Sequence, residues 1–566
     1  MMRWEAIFEP QQDLVLQLQK ELGVSAVIAS LLVQRGMSSF DAAKTFFRPQ
    51  WTDLHSPFLM RDMDKAVDRI HAALEEDQTI MVFGDYDVDG TTSVALMSSF
   101  LAEKTSKVIP YIPDRYTEGY GLSYQGIDVA HDQDVKLIIA LDCGVKAVDK
   151  VAYASEKGID FIICDHHLPG EELPNAVALL DPKRKDCTYP FDELCGCGIG
   201  FKLIQALNES WQEPKEALYL YLDLVATAIA ADIVPIEGEN RTLSFFGLAQ
   251  LRQNPRPGIQ GFLSALKKPV NITDLVFKVA PRINAAGRMN HALVAVDLLR
   301  SKDAVELKKI GEAIEQMNTD RRATEERITK EALDQIKHRQ EENSSSTVVY
   351  AEDWHKGVVG IVASRLIENH YRPTVVLTKS GENYAGSVRS VKGFNVYEAL
   401  AACKAHMIQF GGHKYAAGLT LNKSQLAAFK MAFEKQVEAT ILPEQRTPVM
   451  LYDLVLPIEE VNHKLYRIIE QMAPFGPKNM RPVFCSTNCV DSGQIRLVGK
   501  DQSHLRVSVQ TPNGSLIGIG FSMAKHYDYI KSGAPFDLLY TLDENEWNGS
   551  VSLQLKIKAI RPKAEA

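Results

Sequence analysis

Thr79-Ile80-Met81-Val82-Phe83-Gly84-Asp85-Tyr86-Asp87-Val88-Asp89-Gly90 passes from an unbroken apolar run into three aspartates packed within five residues. Four consecutive apolar residues closed by a glycine read as a strand buried on both faces. The same kind of run recurs downstream at Val108–Ile112, Leu137–Leu141, Phe161–Cys164 and Val177–Leu180. Helical stretches lie between several of them, Thr91–Glu103 and Val148–Lys157 among others. Strands alternating with helices predict a parallel sheet covered on both sides.

The polar residues sit where such a sheet binds ligands. The first strand runs into Asp85, Asp87 and Asp89, the third into Asp142-Cys143-Gly144, and the fourth into Asp165-His166-His167. In open α/β sheets the binding crevice lies outside the carboxyl ends of the strands. A single aspartate at a strand end is ordinarily a helix cap or a turn residue. Three such ends in order gather carboxylates that cannot all stay ionised without counter-charge. Divalent cations supply it, and mixed carboxylate and imidazole donors suit Mn²⁺ or Mg²⁺ better than a structural zinc. Two such ions stabilise the attacking and leaving oxygens of a phosphoryl displacement. A further acid, Asp232, closes the apolar helical run from Leu222 and needs a partner of its own.

Further out, the chain of 566 residues carries 45% hydrophobic and 24% charged residues, which excludes disorder as its main state. No apolar run is long enough to span a membrane. The opening Met1-Met2-Arg3-Trp4-Glu5-Ala6 lacks a secretory profile, and eight sparse cysteines read as reduced thiols, so the expected location is the cytoplasm. Cys195-Gly196-Cys197 is read likewise, as thiols in a tight turn, since two thiols alone do not complete a zinc site. The net charge of −9 argues against a general polyanion-coating protein, yet residues 345–440 hold 11 Lys and Arg against 7 Asp and Glu. A locally basic half suits a nucleic-acid partner.

The expected organisation is an N-terminal helical segment (1–75), a parallel-sheet α/β domain (76–290), a charged connecting helix (291–344), a second α/β domain (345–442) and a C-terminal β-barrel (446–562). The polar run from Glu341 to Ser346 marks the clearest boundary.

The order Asp85-Tyr86-Asp87-Val88-Asp89-Gly90, Asp142, Asp165-His166-His167 and Asp232 resembles the DHH phosphoesterase superfamily, and within it the RecJ family of single-stranded-DNA exonucleases. Pro281–Met289, Trp354–Ala363 and Gly411–Gly418 are similar to further motifs of that family, and the last belongs to its DHH-associated domain. The resemblance implies two metal ions, Mn²⁺ or Mg²⁺, held by Asp87, Asp89, Asp142, His166 and Asp232, with Asp142 shared between them. The resemblance adds Asp85 as a further metal residue, the RecJ-type alternative to a histidine that many members carry two residues earlier, where this chain has Phe83. It makes His167 a catalytic contact to the scissile phosphate and Asp165 a residue orienting an imidazole.

Arg115, Ser387 and Arg389 are similar to a pocket for a terminal phosphate, and an arginine fork suits a 5′-phosphate because it binds two oxygens at once. Arg282, Arg288, Tyr120, His355, Gly412 and His413 are further expected substrate contacts, the last two on a loop of small residues that lets backbone amides approach a phosphate. The terminal barrel resembles an OB-fold, introduced by Ala473–Phe484, where Lys478 and Met480 replace the family's usual Gly and Pro.

The resemblance implies 5′→3′ degradation of single-stranded DNA to 5′-mononucleotides, in repair and recombination, by a monomer working beside a single-stranded-DNA-binding protein and a helicase. The other reading is a DHH phosphodiesterase on small phosphoesters such as short oligoribonucleotides.

Overall fold

A computed structural model describes residues 2–512, 514–547 and 549–563. The first α/β domain is built on five parallel strands, β1 (Thr79–Gly84), β2 (Val108–Tyr111), β3 (Val135–Leu141), β4 (Asp160–Cys164) and β5 (Ala178–Leu180), in the spatial order β2-β1-β3-β4-β5. Their central residues are buried on both faces, as uninterrupted apolar runs require. One face packs against α1 (Val88–Leu101), α2 (Gly196–Ser210), α3 (Leu222–Asp232) and α4 (Gly238–Gln253), which share one core. The other face packs around Phe83, Ile138, Phe161 and Ile163.

The register decides where the site lies. Gly84 pairs with Leu141, Leu141 with Cys164, and Cys164 with Leu180. The next residue of each strand is therefore in one row: Asp85, Asp142, Asp165 and Asp181.

A helix of 35 residues, α5 (Ala304–His338), joins this domain to the second. Its Glu325 accepts from Arg321 on the same helix and from Arg365 of α6 (Val359–Asn369), fixing the second domain to the connector. That domain has the mixed sheet Gln409–His413, Ala416–Asn422, Asn383–Arg389, Thr374–Ser380, Thr347–Ala351, in this spatial order. The expected small-residue loop at Gly411–Gly418 is instead an antiparallel hairpin, with Gly411 opposite Gly418 and Gly412 opposite Ala417. Only Gly412 is sterically required there: its φ is 140°, and a Cβ would fall 2.4 Å from the Ala416 carbonyl oxygen.

The C-terminal β domain is a seven-stranded sheet from Leu454 to Pro562. Its core is shared with the helices Gln12–Leu22, Ala26–Gln34 and Phe40–Phe47, through Leu18, Ile28, Leu31 and Phe46. Residues 1–75 thus divide between two cores, because Met63, Val67 and Ile70 pack into the first α/β domain. No single helix among the described residues is long and apolar enough to cross a membrane.

Candidate active site

Each strand end delivers its acid differently. Asp87 caps α1, its Oδ1 accepting from the Gly90 amide at 3.1 Å. Two residues on, in the first turn of α1, Asp89 is buried and receives the amides of Gly196 (2.7 Å) and Cys197 (2.8 Å) at the N-terminus of α2. A carboxylate there is favoured by unpaired amides and the helix dipole together. Gly196 makes the approach possible, since a Cβ would fall 2.5 Å from that of Asp142. Asp142 itself turns the chain with φ 60°, a left-handed conformation that Asp tolerates better than most residues.

His166 draws the set together. Its Nε2 lies 3.1 Å from Asp142 Oδ1, 3.7 Å from Asp232 Oδ2 and 3.9 Å from Asp89 Oδ2. Asp89, His166 and Asp232 each offer a ligand atom within 4.8 Å of the others, and so do Asp142, His166 and His167. Burial first, and the charge of Asp87 second, push Asp85 and Asp89 up to about 7. Burial, then Asp89 and Asp87, push Asp232 to about 8 and hold Asp142 well above the carboxylate range. Acids crowded this tightly fit divalent cations, which would supply the missing counter-charge.

Asp165 stands in the same row with another role. Its Oδ1 accepts from the amides of His166 and His167 and from His167 Nδ1 at 2.7 Å, and its Oδ2 accepts from the Val145 amide at 2.9 Å. The buried carboxylate is held below its ordinary value because those bonds outweigh the cost of burial. The bond to Asp165 in turn raises His167 above the ordinary imidazole range. His167 Nε2, on the exposed edge of the ring, is 3.3 Å from the Tyr120 hydroxyl. Asp85 is fully buried; Oδ1 accepts from the Gly121 amide at 3.3 Å, and Oδ2 has no hydrogen-bond partner among the described residues.

Beside the acids lies a cleft of about 630 Å³ between the two α/β domains. Tyr86, the residue between Asp85 and Asp87, forms part of its wall, with Arg115 stacked 4.0 Å over the ring. Arg288 follows from the first domain, and Ser387 and Arg389 face it from the second. None of these three arginines forms an ion pair among the described residues. Burial first, then the charges of Arg115, Arg321 and Arg389, lower Arg288 to about 10, against the opposing charge of Asp87. Gly360 in the first turn of α6 brings that helix against Ser387 and Arg389, whose nearest atoms lie 3.0 Å from the position of an added Cβ.

Several expected contacts lie elsewhere. Arg282 is bound by Glu315 of α5 and by the Lys278 carbonyl, which ties two helices together and turns it away from the cleft. Gly412 and His413 sit at the exposed hairpin turn, while Gly411 and Gly418 line the cleft in their place. His355 packs edge-on to Tyr116 at the cleft's margin. Cys195 and Cys197 are buried free thiols, Cys195 Sγ capping α2 through the Gly198 amide.

The sequence reading passed over Asp181, Tyr86 and Lys356. Asp181 directly follows β5, fully buried with Oδ2 unpartnered among the described residues, and burial pushes it up to about 7. The signal was present: Leu179-Leu180-Asp181 repeats the strand-end pattern of the other three. Lys356 adds a fourth cation to the cleft wall.

Comparison with known proteins fits the three folded regions. The model of the DHH family, N-terminal domain, matches residues 79–229, that of the DHHA1 domain 343–439, and that of the RecJ OB domain 452–559. A single-stranded-DNA-specific exonuclease RecJ of Bacillus subtilis is 36% identical over 562 residues, covering 98% of this chain and 70% of that protein. Its Escherichia coli counterpart is 33% identical, over 88% of this chain and 90% of that one. A crystal structure of RecJ from Thermus thermophilus in complex with Mn²⁺ superposes with a TM-score of 0.85 at 26% identity, over all of this chain and 80% of that one.

Proposed function

The chain belongs to the RecJ family of DHH phosphoesterases, and from that premise we propose that it is a metal-dependent exonuclease removing 5′-mononucleotides from single-stranded DNA. The observation that carries this reading is the pairing of a buried acid cluster with an arginine-lined cleft on its flank. A terminal 5′-phosphate seated on Arg115, Arg288, Arg389 and Ser387 places the following phosphodiester over the acids, and this sets both polarity and product size.

Asp87, Asp89, Asp142, His166 and Asp232 would hold a pair of divalent cations, Mn²⁺ or Mg²⁺, and the buried Asp85, with one oxygen free of hydrogen bonds among the described residues, would add to their counter-charge. Those cations, when bound, neutralise the acids, polarise the scissile phosphate and ease ionisation of water. Asp165 fixes the tautomer and direction of His167, whose protonated Nε2 donates toward the charge that develops on the phosphate and the leaving oxygen. The Tyr120 hydroxyl holds Nε2 in place until substrate replaces it. The barrel offers the rest of the strand a single-strand-binding platform. A small phosphoester substrate would need neither the barrel nor the cleft.

The enzyme acts in the cytoplasm as a monomer, on strands exposed by a helicase and covered by single-stranded-DNA-binding protein, during repair and recombination. The test is Asp142→Ala with single strands labelled at either end. Wild-type protein should release labelled mononucleotide from the 5′ end in Mn²⁺, the variant should release none, and both should bind the strand. Release from the 3′ end, or full activity of the variant, contradicts the reading.

A further inference from the structure

The stretch Ala473–Arg481, which has no part in the chemistry above, grips the segment that carries Asp232. Asp232 is the last residue of α3, and Ile233 follows in a left-handed conformation, φ 62°, with its side chain 64% exposed. A β-branched residue is disfavoured there, and such strain persists only where neighbouring structure dictates it. Three residues on, the buried Ile236 donates its N–H to the Pro477 carbonyl at 2.8 Å. A Cβ on Gly476 would come within 2.5 Å of Ile236 Cγ1, so loop and strap meet with no slack.

α4 begins immediately afterwards, and two side chains of its first turn are bound on opposite sides. Arg241 is almost fully buried and donates to the carbonyls of Met472 (3.0 Å), Ala473 (3.0 Å), Pro474 (3.3 Å) and Phe46 (2.7 and 2.9 Å). It lies 3.8 Å over the Phe46 ring, and among the described residues no carboxylate pairs with it. Glu239 accepts from Lys202 Nζ at 3.1 Å, from the Tyr189 hydroxyl at 2.6 Å and from the His55 amide at 2.9 Å. Lys202 belongs to α2, the helix whose first amides hold Asp89. The supports of two proposed ligands therefore meet at the start of α4, and one of them reaches into the loop that introduces the barrel.

A buried guanidinium satisfied only by carbonyls is costly to maintain for packing alone. We propose that Arg241 and the 472–477 loop form a latch through which the barrel positions Asp232 for metal binding. Arg241 is on this account a positioning residue. The inference rests on Asp232 being a ligand. Loosening the latch frees the strap of residues 233–237, and Asp232 loses the orientation that holds the cation.

The test titrates Mn²⁺ calorimetrically into metal-free, full-length protein: wild type, Asp232→Asn, Arg241→Lys and Gly476→Ala, each verified as folded by circular dichroism. Gly476→Ala keeps the guanidinium and presses on Ile236 directly, so it carries the test if Arg241→Lys fails to fold. Asp232→Asn should weaken binding. The latch variants should weaken it about tenfold or more, the usual effect of losing an outer support. Their turnover should recover in excess Mn²⁺ with the KM for DNA unchanged. Folded latch variants with wild-type Mn²⁺ affinity, beside a weakened Asp232→Asn, overturn the latch. Wild-type affinity in Asp232→Asn overturns the ligand assignment itself.

Discussion

Asp165 and Asp142 occupy matching places at neighbouring strand ends, and their hydrogen bonds give them opposite roles. Three donors converge on one oxygen of Asp165, His167 Nδ1 among them, and a fourth on the other, which commits this carboxylate to orienting the imidazole. Asp142 faces another nitrogen, His166 Nε2, across the ligand cluster. Asp165→Asn should therefore lower turnover by about 10²-fold, the scale of a misplaced acid–base group, with Mn²⁺ affinity near wild type. Calorimetry beside single-turnover rates checks the pair of expectations. Sequence spacing brought these acids together, and only the family resemblance set Asp165 apart as an orienting residue, since a backbone amide that satisfies a carboxylate has no signature of its own. Lys478 offers a second residue-scale test. It sits at φ 63° where the family's usual residue is glycine, so Lys478→Gly should raise stability by about 1 kcal/mol in urea unfolding.

At the scale of elements, the row Asp85, Asp142, Asp165, Asp181 follows from parallel register. Apolar runs with acids at their ends made three of the four places legible. The strand before Asp181 was legible as Val177–Leu180, but the acid escaped because Pro182 follows it and the pair reads as a turn. The hairpin at Gly411–Gly418 was misread for a related reason: glycines and alanines carry no strand propensity, and the pairing there comes from neighbouring strands.

The row also predicts a pH dependence. Asp85, Asp89 and Asp181 near 7 and Asp232 near 8 retain protons that the unfolded chain gives up near pH 4. Groups with raised folded-state values lose their stabilising contribution as pH rises through those values. His166, lowered to about 4 chiefly by burial, works the other way, but only below the ordinary imidazole value of about 6.5. Melting temperature in chelator should thus fall between about pH 6.5 and 8, and saturating Mn²⁺ should shrink the fall to the part that Asp181, outside the ligand set, contributes; a flat profile in chelator contradicts it. In the same layer, Lys202→Met strands Glu239 without its cation in a dry core and should cost about 3–5 kcal/mol, read by denaturant unfolding.

Across the whole molecule, function depends on surfaces brought together from distant parts of the chain. The second domain lends Arg389 and Ser387 to a cleft whose other wall is Arg115 and Arg288. Arg389→Ala should slow degradation of a 5′-phosphorylated strand at least tenfold, toward the rate on a 5′-hydroxyl strand, which should itself change little. Competition between the two strands measures this. The two α/β domains, the long helix and the barrel were legible as runs of periodicity. The docking of residues 12–47 on the barrel was not, because nothing local in those amphipathic helices specifies a partner more than 400 residues away.

The whole account depends on cations entering the acid nest, and anomalous diffraction from crystals soaked in Mn²⁺ reads this directly. Two peaks among Asp87, Asp89, Asp142, His166 and Asp232 are predicted, both lost in Asp142→Ala. Ordered carboxylates with no peak among them would contradict it.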